Sequence, residues 1–216
     1  NTAIGHDSLK ANTTGDENTA VGAASLDANT TGTDNTALGY QSLSANTTAS
    51  NNVSIGRKAM LVNTTGAKNT AVGAQALDAN TTADNNTAVG YQALSANTTG
   101  ETNVAVGHQA LLANTTGDYN TSIGRGSGYT VGLNALYANT TGASNVALGA
   151  YALDANTTAS YNTGIGYYAL SANTTGTLNS ALGRSALEAN TTGGSNTAIG
   201  EQALVANTTG ASNTAV

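Results

Sequence analysis

Small aliphatic and polar residues follow a pattern that returns every 17 residues along the whole chain. One unit, residues 69–85, reads Asn-Thr-Ala-Val-Gly-Ala-Gln-Ala-Leu-Asp-Ala-Asn-Thr-Thr-Ala-Asp-Asn. We number positions in a unit from its first Asn. Position 4 is aliphatic, position 5 is Gly, and position 9 is Leu, or Met60 once. A short fixed period predicts a stack of near-identical units.

Each unit predicts two short β-strands rather than a helix, because Gly and Asn-Thr-Thr interrupt every repeat and β-branched residues are common. In the first strand, Thr70 and Val72 face one side and the residue between them faces the other. In the second strand, Leu77 and Ala79 share a face. Gly73 and the Asn-Thr-Thr segment supply the corners. The pattern therefore predicts an all-β fold, a parallel β-solenoid with one coil per repeat.

The whole chain, residues 1–216, reads as a single solenoid segment of about 12.5 coils. Coils about 4.8 Å apart would make a rod on the order of 60 Å long. One interruption breaks the pattern: residues 120–127 read as a half-coil or a bulge, before the repeat restarts at Gly128. Since the chain begins and ends inside its repeat, we expect a fragment of a longer fibre.

Composition and charge disfavour several classes of function. Charged residues make up 8% of the chain, the net charge is −6, and no basic cluster is present, so nucleic acid is not an expected partner. No apolar run approaches the roughly 20 residues of a membrane span. The scattered acids, Asp27, Asp78 and Asp154 among them, read as solvated surface charge. His6 and His108 lie six coils apart, so they cannot share a metal. With two His and no Cys, we expect no enzyme activity, metal or cofactor.

The tripeptide Asn-Thr-Thr occurs twelve times and allows two interpretations. It is an N-glycosylation sequon, and Asn52, Asn85 and Asn120 begin three further sequons. Alternatively, the Asn amides hydrogen-bond from coil to coil as a ladder. Glycans on coils only about 4.8 Å apart would crowd one another, which favours the ladder. The residues concerned are Asn12, Asn29, Asn46, Asn63, Asn80, Asn97, Asn114, Asn139, Asn156, Asn173, Asn190 and Asn207.

Tyr side chains are candidates for a ligand site or an interface, because their amphipathic rings suit sugar stacking and protein contacts. Tyr161, Tyr167 and Tyr168 lie near one another in the chain and form the best candidate patch. The alternative is that the rings cover adjacent coils or a neighbouring chain. An ice-binding surface is a minor alternative, which the adjacent Thr13 and Thr14 disfavour because their side chains would point apart.

Asn-Thr-Ala-Val-Gly and its variants resemble the Asn-Ser-Val-Ala-Ile-Gly repeats of YadA-type trimeric autotransporter adhesin heads. The segment Tyr-Gln-Ala-Leu-Ser-Ala-Asn-Thr-Thr-Gly, from Tyr91 to Gly100, is similar to repeat stalks of bacterial and phage tail-fibre-domain proteins. The YadA-type unit is shorter and has no counterpart of the Asn-Thr-Thr corner. The resemblance covers essentially the whole chain and implies a left-handed β-roll that forms homotrimers, with Ala3-type side chains buried between chains.

These observations predict a non-enzymatic segment of an extracellular fibre or adhesin, on a cell surface or a virion, that presents a repetitive surface for attachment. We expect self-association, either as a homotrimer or as an end-to-end fibril, and a host surface or polysaccharide is the candidate ligand. A fibril scaffold decorated with glycans is the alternative function, and an ice-binding solenoid is a minor one.

Overall fold

Thirteen short β-strands pair side by side in one parallel sheet in the computed structural model, which describes residues 1–124 and 135–216. Neighbouring strands follow in chain order and pair in register, so that Val72 lies beside Val89. The predicted all-β solenoid is confirmed. The strands are Thr2–Ile4 (β1), Thr19–Val21 (β2), Thr36–Leu38 (β3), Val53–Ile55 (β4), Thr70–Val72 (β5), Thr87–Val89 (β6), Val104–Val106 (β7), Thr121–Ile123 (β8), Val146–Leu148 (β9), Thr163–Ile165 (β10), Ser180–Leu182 (β11), Thr197–Ile199 (β12) and Thr214–Ala215 (β13).

Each described coil contains one strand, so the prediction of two strands per coil is wrong. Positions 6 to 11 form tight turns instead. In residues 69–85, Gln75 and Leu77 adopt the left-handed conformation, with φ of 56° and 53°. Side chains alternate between faces only where the backbone is extended, so Leu77 and Ala79 do not share a strand face. Leu77 is nevertheless fully buried.

The core is a narrow column of aliphatic side chains from positions 3, 8 and 9. In one coil these are Ala71, Ala76 and Leu77, all fully buried. The Ala side chains of position 3 are buried within their own chain in the interior coils, from Ala20 to Ala198. The expectation that they are buried between chains is therefore wrong.

Positions 2 and 4 point away from the core, and we call their two rows the outer face. Thr70 and Val72 are partly exposed and flank the buried Ala71, as the alternation predicts. The most exposed aliphatic side chains of the interior strands range from 36% at Val89 to 49% at Leu182. No charged residue occupies either position. The sheet thus exposes a continuous strip of Thr and aliphatic side chains.

The first five residues of the interruption, 120–124, continue the regular coil. Thr121–Ile123 is an ordinary strand that pairs in register with a strand on each side. The backbone N–H of Asn145 donates to Oδ1 of Asn120, 25 residues earlier, so one lengthened coil closes here. In the sequence, ten residues, 125–134, separate Gly124 at position 5 from Ala135 at position 8, where other coils have two, which accounts for all eight extra residues. The last three residues of the predicted half-coil lie outside the described residues.

Replacing Gly73 by Ala should destabilise the stack. Gly73 has a φ of 141°, and a Cβ there would lie 2.3 Å from the carbonyl oxygen of Gly90. Because the new side chain is incompatible with the backbone, we expect the free energy of unfolding to fall by more than about 1 kcal/mol. Thermal unfolding followed by circular dichroism measures the effect. Gln75→Ala is the control, since Ala24 occupies the same position natively with φ of 51°. Equal midpoints for the two variants would contradict the prediction.

Candidate functional site

The Asn side chains of position 12 form a continuous ladder inside the stack. Nδ2 of Asn80 donates to Oδ1 of Asn63 at 2.7 Å and to the carbonyl oxygen of Ala83 at 3.0 Å. Oδ1 of Asn80 accepts from Nδ2 of Asn97 at 3.2 Å. The same bond crosses the lengthened coil. The twelve Asn-Thr-Thr amides are therefore joined along the whole rod.

A second ladder runs through the Asn side chains of position 1. Oδ1 of Asn69 accepts the backbone N–H of Asn86 at 2.9 Å, and Nδ2 of Asn69 donates to the carbonyl oxygen of Ala83 at 2.8 Å. The sequence carries the signal for this ladder, an Asn at position 1 of every unit, but the pattern alone reads as the start of a strand. Each of these buried amides holds two successive coils together and closes its own coil.

Burial of the ladders argues against N-linked glycans at Asn-Thr-Thr. The interior members, from Asn29 to Asn190, have no exposed surface. An N-linked sugar replaces a hydrogen on Nδ2, and in Asn80 both of these hydrogens are used in buried bonds. Asn52 and Asn120 are buried as well, whereas the sequon residue Asn85 is exposed. A glycan on a ladder Asn would therefore have to break the stack.

Both Thr residues of the Asn-Thr-Thr corner reach the surface, because this part of the coil is a bend rather than a strand. Oγ1 of Thr81 donates to the carbonyl oxygen of Thr98 in the next coil at 3.3 Å. Thr82, at position 14, is exposed, and the Thr residues at position 14 of all the remaining coils are exposed as well. One hydroxyl row thus supports the stack and the other faces solvent.

Tyr151, Tyr167 and Tyr168 form an aromatic cluster, which we call the tyrosine platform. The rings of Tyr151 and Tyr168 stack with centroids 4.3 Å apart and an interplanar angle of 12°. Tyr167 lies edge-on to both, at 5.6 Å and 4.4 Å. The pKa of Tyr168 is raised to about 12, first by hydrogen bonding of its neutral phenol to Tyr167 and then by hydrogen bonding to Tyr151. The structure therefore joins two of the three Tyr residues of the predicted patch with Tyr151, which that patch did not include.

Tyr161 belongs to a different part of the coil. It occupies position 17, with φ of 62°, whereas the platform residues occupy positions 6 and 7. Its side chain is 63% exposed, and among the described residues it makes no ring contact with the platform. Closeness in sequence therefore does not place Tyr161 beside Tyr167 and Tyr168.

Three acids at position 10 are less solvated than the sequence suggests. Burial raises the pKa of Asp27 and Asp78, and it raises that of Asp154 to about 6 despite opposing backbone hydrogen bonds. Oδ1 of Asp27 is buried without a hydrogen-bond partner among the described residues. The expectation of solvated charge does not hold for these three side chains, because each lies half-buried against neighbouring coils.

Replacing Asn80 by Ala should weaken the stack strongly. The change leaves Oδ1 of Asn63 and the Nδ2 of Asn97 without their partner, and each buried unsatisfied group costs about 1–3 kcal/mol. We expect a lower midpoint of chemical unfolding. Asn85→Ser is the matched control, because Asn85 is exposed in the same coil and Ser195 occupies the same position natively with φ of 58°. It should unfold like the parent protein, and an Asn80→Ala midpoint equal to that of Asn85→Ser would show that the ladder contributes nothing.

Asp154→Asn should stabilise the protein at neutral pH. The folded pKa of about 6 lies above the ordinary value of 3.8, so the folded state binds a proton that the unfolded state releases between these values. The stability of the parent protein therefore falls as pH rises from about 4 to about 6 and stays lower above that. The variant should unfold at a higher temperature at pH 7, and the difference should vanish near pH 4. Asp16→Asn, at an exposed carboxylate, is the control. A difference that is independent of pH would contradict the assignment.

Within residues 1–124 and 135–216, no group of three or more His, Cys, Asp or Glu side chains is arranged to hold a metal ion. The same part of the chain contains no helix that is long and apolar enough to cross a membrane. No protein-family model, curated protein or solved structure matches the chain.

Proposed function

We propose that this chain is a non-enzymatic structural segment of an extracellular fibre, on a cell surface or a virion, that presents a repetitive surface for attachment. The observation that supports it is the unbroken stack, in which one sheet and two Asn ladders continue past the lengthened coil. Since each coil contacts only its neighbours, such a rod can change in length without a new core. Rigidity and adjustable length suit a spacer that holds a surface away from its anchor.

Lateral association through the outer face would build the fibre from several copies. Large exposed apolar patches on soluble proteins mark interaction sites. Strands about 4.8 Å apart over thirteen strands make a strip on the order of 60 Å long. With a width of roughly 10 Å, the strip approaches the ~800 Å² that a standard interface takes from each partner. A second copy of the chain has the same distance between successive coils, so its outer-face side chains can pack against this strip along its full length.

The glycan-decorated scaffold is less well supported, because the interior Asn-Thr-Thr amides are buried and hydrogen-bonded. An ice-binding solenoid needs a flat, regular array of side chains. At the described Asn-Thr-Thr corners, the position-13 hydroxyls bond to the next coil, whereas the position-14 hydroxyls make no such bond. The outer face is the other regular array, and its exposed aliphatic side chains favour contact with another chain.

Introducing charge on the outer face should abolish lateral association. Ile55→Lys, Val72→Lys and Val89→Lys combined place three cations on consecutive strands without touching the core. We expect the parent protein to sediment as an oligomer and to appear in electron micrographs as laterally joined rods. The triple variant should be a single rod with an unchanged circular dichroism spectrum, because three ammonium groups cannot be desolvated against an apolar partner.

The matched control changes Thr65, Thr82 and Thr99 to Lys, in the same three coils but at the Asn-Thr-Thr corner. It should assemble like the parent protein. A parent protein that is monomeric at high concentration would contradict lateral association. If such a monomer also lowered the temperature at which ice grows in its solution, and the outer-face variant lost that effect, the ice-binding alternative would replace the proposal.

A further inference from the structure

The aromatic ring contacts of the described residues are all found at one corner of the rod, formed by positions 6 and 7. Tyr91 stacks on His108 with ring centroids 5.3 Å apart, in the two coils that precede the lengthened coil. The tyrosine platform lies at the same corner in the two coils that follow it. This stretch of the corner therefore differs from the rest of an otherwise uniform rod.

The fold itself does not require aromatic residues at this corner. Position 7 is Gln in five other coils, which close the same turn with the same left-handed backbone. The φ of Gln92 is 52° and that of Tyr168 is 59°. Two of these Gln side chains even form their own ladder bond, from Nε2 of Gln109 to Oε1 of Gln92 at 2.9 Å. The platform rings are therefore additions to the surface rather than parts of the core.

The platform combines apolar ring surface with polar edges. Tyr167 is 48% exposed, and Tyr151 and Tyr168 are partly exposed. Because Tyr167 stands edge-on to the stacked pair, the three rings present surfaces in two directions. Their phenolic hydroxyl groups can donate to and accept from a ligand. Rings of this kind pack on the C–H faces of sugars while their hydroxyls bond to the sugar hydroxyls.

Charge around the platform favours a neutral ligand. The platform contains no acidic or basic side chain, only the phenol groups of three Tyr residues. Arg184, the next residue along the position-6 row, is paired with Glu201, so its charge is already compensated. The net charge of −6 repels polyanions in general.

We infer that the tyrosine platform, Tyr151, Tyr167 and Tyr168, is a binding site for a neutral saccharide chain. A neutral saccharide would then be the ligand of the attachment function proposed above, and the inference rests on that proposed function. Successive coils lie about 4.8 Å apart, so the two coils of the platform span roughly one pyranose ring along the rod. The saccharide would contact Tyr167 first, because this ring is the most exposed of the three.

Affinity electrophoresis in native gels tests the inference on the whole chain. The gels contain a soluble neutral polysaccharide, in turn dextran, mannan, galactomannan and xyloglucan, or the acidic polysaccharide alginate. We expect at least one neutral polysaccharide to retard the parent protein and alginate not to do so. Tyr167→Ala and Tyr168→Ala should each weaken the apparent affinity by up to roughly tenfold, because a well-packed aromatic contact contributes about 0.5–1.5 kcal/mol.

Tyr40→Ala and Tyr161→Ala are the matched controls, since both remove an exposed Tyr that makes no ring contact with the platform among the described residues. They should be retarded like the parent protein, and melting curves verify that all four variants fold. Absence of retardation by every neutral polysaccharide would overturn the inference. So would equal retardation of Tyr167→Ala and Tyr40→Ala, or retardation by alginate alone.

Failure of the saccharide site and failure of the fibre proposal give different results. If the parent protein still forms laterally joined rods but no polysaccharide retards it, the platform inference fails and the fibre proposal stands. If the platform variants lose retardation and keep the assembly of the parent protein, saccharide binding is assigned to the platform separately from the outer face.

Discussion

The hydrogen bond between the side-chain amides of successive Asn residues is the interaction on which this structure depends. A primary amide carries both donors and an acceptor, so one residue type can bond to identical residues above and below it. Asp lacks the donor, and a hydrocarbon side chain lacks both. In Asn80 the amide also bonds to the carbonyl oxygen of Ala83, which closes the corner of its own coil. Because these groups are buried, losing one partner is costly, and the ladder therefore keeps the Asn corners of successive coils aligned.

This alignment of the corners determines where everything else lies. It keeps the thirteen strands in register, and register keeps the small position-3 side chains inside and the outer-face rows outside. The lengthened coil shows which positions are constrained. Its eight extra residues enter between positions 5 and 8, while Asn139 and Asn145 still bond to the preceding coil. Residues at positions 6 and 7 can therefore vary freely, and the tyrosine platform is the most distinctive product of that freedom.

The sequence predicts the features that follow from the period itself. Repetition every 17 residues indicates a stack, alternation in Thr70 to Val72 indicates one strand, and crowding favours a ladder over glycans. It does not reveal the turn around Leu77, because Leu at position 9 and Ala at position 11 have the same spacing as in a strand. A left-handed Leu is rare in proteins and leaves no mark on the hydrophobic pattern. The burial of Asp154 depends on contacts between coils, which a single unit does not show. Tyr151, one 17-residue period before Tyr168, could have been found by comparing positions rather than distances along the chain.

Hydrogen exchange of the Asn side-chain amides, measured by nuclear magnetic resonance on isotopically labelled protein, tests the central claim most directly. Exposed primary amides exchange rapidly, whereas buried and hydrogen-bonded amides exchange only when the structure opens. The ladder predicts strongly slowed exchange for the Nδ2 hydrogens of Asn63, Asn80 and Asn97, with faster exchange in the end members Asn12 and Asn207 and in the exposed Asn85. Rapid exchange of all Asn side-chain amides in the folded protein would contradict the ladder as the interaction that holds the coils together.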